Sequence, residues 1–501
     1  MRKWYFILAV LILAGCKASS EAAPMTESQI ISIGNKSLLL EADHLSLKKE
    51  SNPEGLDFIY KDTNYRYNVG NKAALTVKVR KMNNGDRFVM LRMSGEGTVT
   101  GKVQIPSADD YYFVDWTKNI PERVHDDVTG VDETKPPAGL FRYTNNREFI
   151  NELVISHTFT SRELNELYGS GRESTVRELL TEKNTLQHSK EGVEFTMTAG
   201  RGEISEQWFL LAEAPLFEQT DNLNDWITFQ QINYKEVNNW FTVDGSLKKL
   251  PWSVEPFTKD GYGRHMGTLI EKEAIDRYFK YKERYFYNLT VQSAANVWSY
   301  RESKKDVIWK TEYTSTWLKE KYNITAPYVD TRHNELIVIY LHRIGKELGV
   351  PELEKALPEY SDYLLNLISI DNVVRAEKGY LPADYYSPQQ GKQRIHASLN
   401  HALGEANMLI DAYHATGHKK YLLAVREIRG GIESVGSDWI RPNGDLWYQI
   451  NRDGTFDGND YEYLTLNDLE GHEKKWATLG GNPSPVLQKL IKSKKAYLKS
   501  R

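Results

Sequence analysis

Cysteine is nearly missing from this chain: 501 residues contain one, Cys16. That excludes an intrachain disulfide and any multi-cysteine metal site. A second long apolar run after the N-terminus is missing too, and mean hydropathy is −0.57, so the body of the chain is expected to be soluble. Charge of one sign is also lacking. Lys and Arg number 64 against 68 Asp and Glu, a net −4, and nothing in that balance points to nucleic acid. What the chain has in plenty is Tyr (30) and Trp (12). These rings offer a flat apolar face with a polar edge, which suits sugar rings and wet interfaces as well as β-sheet packing.

The first fifteen residues read as an export signal. Arg2 and Lys3 form a positive n-region and Trp4 to Leu13 an apolar h-region too short to span a bilayer. Leu13-Ala14-Gly15-Cys16 supplies the small residues and the cysteine of a lipoprotein cleavage site, so Cys16 is expected to carry the lipid. Residues 16–29 form a Ser-, Ala- and Glu-rich tether. This places the mature protein on the extracytoplasmic face of a cell membrane, held by acyl chains.

From 30 to 225 short alternating segments separated by turns predict antiparallel sheets, in a sandwich or barrel. Examples are Ala74-Leu75-Thr76-Val77-Lys78-Val79 and Glu206-Gln207-Trp208-Phe209-Leu210-Leu211. Within this region 161–181 reads as helical or irregular, and Gly169-Ser170-Gly171-Arg172 as an ordinary loop rather than a phosphate cradle, since no βαβ unit surrounds it. Residues 226–326 are mixed. From 327 to 501 the period turns helical, with helices expected at 333–348, 351–368, 395–416, 420–429 and 485–499. The fold class is therefore multidomain β plus α, with helices suited to a bundle or an α/α barrel whose long loops gather at one end. The last helix, with Lys489, Lys492, Lys494, Lys495 and Lys499, reads as amphipathic over Leu487, Leu490, Ile491 and Leu498.

Three tyrosine-bearing loops stand beside acidic groups: Pro382-Ala383-Asp384-Tyr385-Tyr386, Asn443-Gly444-Asp445-Leu446-Trp447-Tyr448 and Gly458-Asn459-Asp460-Tyr461-Glu462-Tyr463. His396, Asn400, Asn407 and Asp411 fall near one helix face, as either a cleft-facing stripe or a solvated one. His396 and His401 lack the spacing of a helical metal pair, so no metal site is expected. Asp330-Thr331-Arg332-His333-Asn334 opens a helix, either as a plain cap or as a carboxylate-binding N-terminus.

These segments resemble the heparosan (heparan) glucuronyl C5-epimerase family. Asp460-Tyr461-Glu462-Tyr463-Leu464-Thr465-Leu466-Asn467-Asp468-Leu469 resembles the family's Asp-Tyr segment with its catalytic tyrosine. Gly444 to Tyr448 is similar to the turn ending in a second catalytic tyrosine, and Asp384-Tyr385 to an upstream acidic-Tyr pair. The resemblance spans 327–501 and implies β-domains before a catalytic α/α barrel. It implies C5 epimerisation of D-glucuronate within a polysaccharide, with Tyr461, Tyr448, Tyr385 and Asp384 catalytic. The chain departs from the family after Tyr448, where Gln449-Ile450-Asn451-Arg452 replaces an Asp-Leu-Arg run, and at Glu462 and Thr465, where the family has histidines.

Such a reaction needs a proton carrier on each side of the ring and neutralisation of the substrate carboxylate by a cation or a protonated acid. A tyrosine acting as base needs its pKa lowered by positive charge, expected from Arg332 or Arg452. Arg332, His333, Asn334, Asn400, Arg452 and Asp460 are the expected substrate-binding residues. No cofactor is required; calcium in the β-domains and a homodimer stay open. Two alternatives remain: a polysaccharide lyase, which shares the proton abstraction, and a non-catalytic polysaccharide-binding lipoprotein.

Overall fold

The computed structural model describes residues 26–500 apart from Phe58, Ser170 and 391–394. The expected export signal, Cys16 and most of the expected tether lie outside the described residues.

The N-terminal part is built of two antiparallel sheets. The smaller sets Thr26–Ile33, Lys36–Asp43, Gly97–Gln104, Gly192–Ala199 and Gln187–Ser189 side by side. At the centre of the larger, Tyr60–Val69, Ala73–Met82, Arg87–Gly95, Glu203–Ala212, Thr158–Leu167 and Glu173–Lys183 follow one another in space. Period-two alternation decides what each face meets. Val89, Leu91, Phe209 and Leu211 point into a core shared with Leu38, Leu40, Val99 and Phe195 of the smaller sheet. Their chain neighbours Phe88, Met90, Trp208 and Leu210 point the other way, into a second core formed with the helices. The central strands are thus buried on both faces, which explains the unbroken apolar run at 208–211.

The helices are α1 (Thr220–Ile232), α2 (Lys272–Tyr281), α3 (Arg284–Lys304), α4 (Thr316–Tyr322), α5 (Thr331–Leu348), α6 (Pro351–Glu354), α7 (Ala356–Ser369), α8 (Leu399–Thr416), α9 (Lys419–Val435), α10 (Leu464–Thr478) and α11 (Pro485–Lys499). The helix α3 lies against the larger sheet, Phe286 and Leu289 sharing the core of Phe88 and Met90. Beyond it α5 packs on α7 and α8, α8 on α9 and α10, and α10 on α11. No helix among the described residues is long and apolar enough to cross a membrane.

Several expectations are corrected. Residues 161–181 are not helical: Thr158–Leu167 and Glu173–Lys183 form a hairpin. The outer half of its first strand is exposed on both faces, so no apolar alternation marks it. The helix expected from 395 begins at Leu399, because Ala397 and Ser398 pair in a strand with Ile450 and Gln449. The helix expected to stop at Gly430-Gly431 runs on to Val435. There glycine serves close packing, since a Cβ on Gly431 would stand 2.6 Å from the Tyr380 carbonyl oxygen. The span 351–368 is broken at Lys355.

Candidate active site

Two short sheets bring the tyrosine loops to the N-terminal ends of α5 and α8. In the first, Asp330 stands opposite Tyr385 and Val329 opposite Tyr386. In the second, Ser398 stands opposite Gln449 and Trp447 opposite Asn459. Tyr448 therefore sits beside the start of α8, and Tyr461 enters just ahead of α10. Gly458, at φ +79°, makes the crossing possible: a Cβ there would lie 3.0 Å from that of Tyr448.

At the bottom of the cluster lies Asp384, fully buried. Its Oδ1 accepts the backbone N–H of Ser398 at 2.7 Å. Its Oδ2 stands 3.1 Å from His396 Nε2 and 3.7 Å from His401 Nε2. Neither Asp384 Oδ2 nor His396 Nε2 has a well-aligned hydrogen bond, so both buried atoms are open to a further partner. The outer ring nitrogens are held: Tyr322 Oη lies 2.8 Å from His396 Nδ1, and Thr331 Oγ1 2.9 Å from His401 Nδ1. Burial opposes ionisation of Asp384, but the two histidines and the Ser398 N–H outweigh it and hold the carboxyl below the ordinary range. Asp330 behaves oppositely. It caps α5 by accepting the His333 N–H at 3.0 Å, yet burial and the neighbouring Asp384 push its pKa up.

The aromatic rings form the walls. Tyr385 lies 6.0 Å, centroid to centroid, from both His396 and His401; Tyr448 is 6.2 Å from His396, and Tyr461 meets Tyr448 edge-on at 5.8 Å. Trp317 packs 5.6 Å from Tyr385 and 5.9 Å from His396. Tyr461 is 52% exposed, which makes it the mouth of the cluster, whereas Tyr385 is buried.

Asp384, Tyr385, Tyr448 and Tyr461 thus come together as the sequence expects. The proposed tuning of the tyrosines does not. Burial, with Asp384 and Asp330 adding repulsion, raises all three phenols above their ordinary value. Arg452 is paired with Asp371, away from the cluster. Arg332 lies beneath it, 2.9 Å from Asp468 and 3.1 Å from Glu335, and lowers Tyr461 by less than the aspartates raise it. Asp460 is held by Lys494 at 2.8 Å and by Thr465, facing α11. Asn334 spends its amide on the Trp309 backbone and the Asp330 carbonyl. Asn400 supplies only its carbonyl, to Arg332, and His333 packs 4.7 Å from His265 behind Asp330. Sequence reasoning left Asp330 and His396 with a bland alternative each, and did not single out His401, Tyr322 or Trp317 as members of this cluster. Among the described residues no His, Asp and Glu side chains are arranged to hold a metal ion.

No family model matches the chain, and no curated protein matches it. Solved structures similar to part of it include an unsaturated glucuronyl hydrolase from a Bacillus species, at 10% identity and a TM-score of 0.34 over 48% of this chain and 59% of that one. A cellobiose 2-epimerase from Bacillus thermoamylovorans is 11% identical, with a TM-score of 0.32 over 46% and 58%. A D-mannose isomerase is 12% identical, with a TM-score of 0.30 over 46% and 58%. The chain spans less than two thirds of the length of each.

Proposed function

We propose that this protein is an enzyme that moves a proton at C5 of uronate residues in a polysaccharide, at an α/α-barrel site. The observation that carries the reading is the buried Asp384 between His396 and His401, bordered by Tyr385 and Tyr448. A fixed negative charge on two imidazoles stores and returns a proton, and a phenol on either side of a ring can take one and give one. The raised pKa values make Tyr448 and Tyr461 proton donors at rest. Asp330, whose pKa burial and the neighbouring Asp384 raise, is the carboxyl best suited to share a proton with the substrate carboxylate and so stabilise the charge that builds on it when the C5 proton leaves. Return of a proton on the opposite face completes C5 epimerisation of D-glucuronate; loss of the C4 substituent instead gives a lyase. The expected lipid on Cys16 sets this site outside the cytoplasm, where finished polymers are met.

A second reading has its own observation. Asp330 with a raised pKa and Asp384 with a lowered one form the split pair of carboxylates that glycoside hydrolysis uses.

One experiment separates these. Incubate the protein with glucuronate-, galacturonate- and mannuronate-containing polymers in deuterated water. Deuterium at C5 with chain length kept supports epimerisation. Shortened unsaturated chains support a lyase, and shortened saturated chains support hydrolysis. Tyr448→Phe and Tyr461→Phe should each abolish C5 exchange while keeping the fold; full exchange in both removes the tyrosines from the mechanism. Binding without any reaction leaves a non-catalytic polysaccharide-binding protein.

A further inference from the structure

The face of the larger sheet that meets the helices changes character along its strands. Beneath α3 it is apolar, with Met82, Phe88 and Met90. Farther along the same strands it carries Asp62, Asn64, Lys78 and Arg80, with Asn64 directly opposite Lys78 and Asp62 opposite Arg80. These residues floor a cavity of about 480 Å³, within the range of roughly 300–1,000 Å³ usual for small-molecule sites. The opposite wall is the end of α3, with Trp298, Ser299 and Tyr300.

Arg80 is a structural member of this floor. It is fully buried, it grips both oxygens of Asp62 at 2.7 and 2.8 Å, and it spends its remaining reach on Gln292 and Asn296. Asp62 is thereby engaged on both sides, and Lys78 shares it only at the edge of ion-pair distance. Its ammonium stands 3.9 Å from Asp62 Oδ2, its side chain is 15% exposed, and no described residue hydrogen-bonds it. Its nitrogen stays open to the cavity as a donor, and burial together with the neighbouring Arg80 lowers its pKa against the pull of Asp62. Asp244 faces it from farther off, with one oxygen held by Arg92. Trp298 is fixed by Arg301, 4.3 Å from its ring, and presents an apolar surface to the cavity. Lys78 also borders an adjoining recess of about 250 Å³, where Lys49 and Arg66 add positive charge.

We infer that this cavity binds a carboxylate-bearing sugar residue, with the carboxylate on Lys78, the ring against Trp298, and hydroxyls on Asn64 and Ser299. The adjoining recess receives the next acidic unit of a chain. The site lies apart from the tyrosine cluster, and its ligand class follows from Lys78 and Trp298 without appeal to the reaction proposed there. A free uronate and a uronate inside a polymer share this chemistry.

The test uses the full chain carrying Tyr448→Phe, with hexasaccharides of heparosan, polygalacturonate and polymannuronate, D-glucuronate alone, and carboxyl-reduced forms of each hexamer. Calorimetry gives affinity and stoichiometry, and backbone hydrogen exchange locates each binding event. The expected result is protection of 60–69, 73–82 and 296–303 by at least one hexamer, with affinity at least 10-fold lower for its carboxyl-reduced form. Adding Lys78→Met, or independently Trp298→Ala, should remove that protection and that binding event, with thermal unfolding confirming the fold. D-glucuronate reproducing the protection assigns a monosaccharide site; hexamer alone doing so assigns a polymer site. Unchanged binding in both variants, equal binding of the carboxyl-reduced hexamers, or no protection of these segments by any uronate overturns the inference. Because exchange is read segment by segment, silence at the tyrosine loops with protection here would count against the proposed reaction and not against this site.

Discussion

Asp384 and His396 are joined twice: the backbone N–H of Asp384 donates to the His396 carbonyl at 3.2 Å, and His396 Nε2 stands 3.1 Å from Asp384 Oδ2. The backbone link fixes the distance at which the side chains meet. Asp384→Asn keeps the shape and the acceptor for Ser398 but removes the charge that lets the histidines store a proton. Turnover is expected to fall about 100-fold or more, the usual weight of a positioned acid–base group. The pH dependence of stability gives an independent check. Because the folded pKa of Asp384 is depressed, its ionised form contributes stability above the unfolded value near 3.9, and that contribution is lost as pH falls through the folded value. The Asp384→Asn variant should be less stable than the parent at pH 6 and approach it as pH falls below the ordinary carboxylate range. A stability difference that stays constant with pH would show that Asp384 is not the ionised group.

Arg172, at the turn of the 158–183 hairpin, reaches from the β part to the tyrosine loop. It donates to Thr325 Oγ1 at 2.8 Å, Ser387 Oγ at 2.5 Å and Gln389 Oε1 at 2.9 Å. Such a clamp holds a loop without touching the reacting atoms. Arg172→Ala is expected to speed backbone hydrogen exchange at 385–390 and lower kcat/KM by about 10-fold, since small misplacements of site residues are amplified in rate. Little change in thermal midpoint is expected. Unaltered exchange in the loop would show that the sheet pairing of Tyr385 and Tyr386 suffices alone.

Helices with a single apolar stripe were readable from residue order, and α5 and α11 begin or end within two residues of the expected places. The helix α3 was not, because it is buried nearly all round and satisfies Asn288, Gln292 and Asn296 through Asp86 and Arg80, so no one-sided period survives. The tyrosines of the site were legible as loop residues beside acids. Asp330, His396 and His401 were not, since each also reads as a cap or a helix-face residue, and only the two short sheets bring them under Tyr385 and Tyr448. The direction of the tyrosine pKa shifts was misjudged for the same reason: Arg452 and Arg332 are close in sequence to the site, but Asp371, Asp468 and Glu335 claim them.

Gly404 is where α8 passes Arg332. A Cβ at that position would stand 1.8 Å from Arg332 Nη1 and 3.1 Å from Glu335 Oε2. Gly404→Ala adds about 1 kcal/mol of helix propensity but forces Arg332 off its two carboxylates. Disturbing a buried ion pair costs about 3–5 kcal/mol, so a net loss of about 2 kcal/mol or more is expected in urea unfolding. Gly471 in α10 is the contrast, because its Cβ would meet only Asn407 Nδ2, at 3.8 Å. Gly471→Ala should be stabilising by about 0.5–1 kcal/mol. Two variants with the same sign of effect would detach Gly404 from Arg332.

Glu271 opens α2 from a fully buried position. Its Oε1 accepts the Asn238 N–H at 2.9 Å, while Oε2 has no partner among the described residues. Burial raises its pKa to about 7, against the partial relief given by Lys248. A carboxyl raised in the folded state keeps its full contribution to stability below the unfolded pKa, near 4.3, and loses it as pH climbs through the folded value. The gap corresponds to a loss of about 3 kcal/mol by pH 8. Glu271→Gln retains an acceptor for Asn238 and cannot ionise. The variant is therefore expected to be more stable than the parent at pH 8, with the advantage shrinking through pH 7 and 6 and gone by about pH 4.5. Urea midpoints at these pH values read the difference directly. An advantage that does not depend on pH would mean that Glu271 stays charged in the fold, with Lys248 as its full counterion.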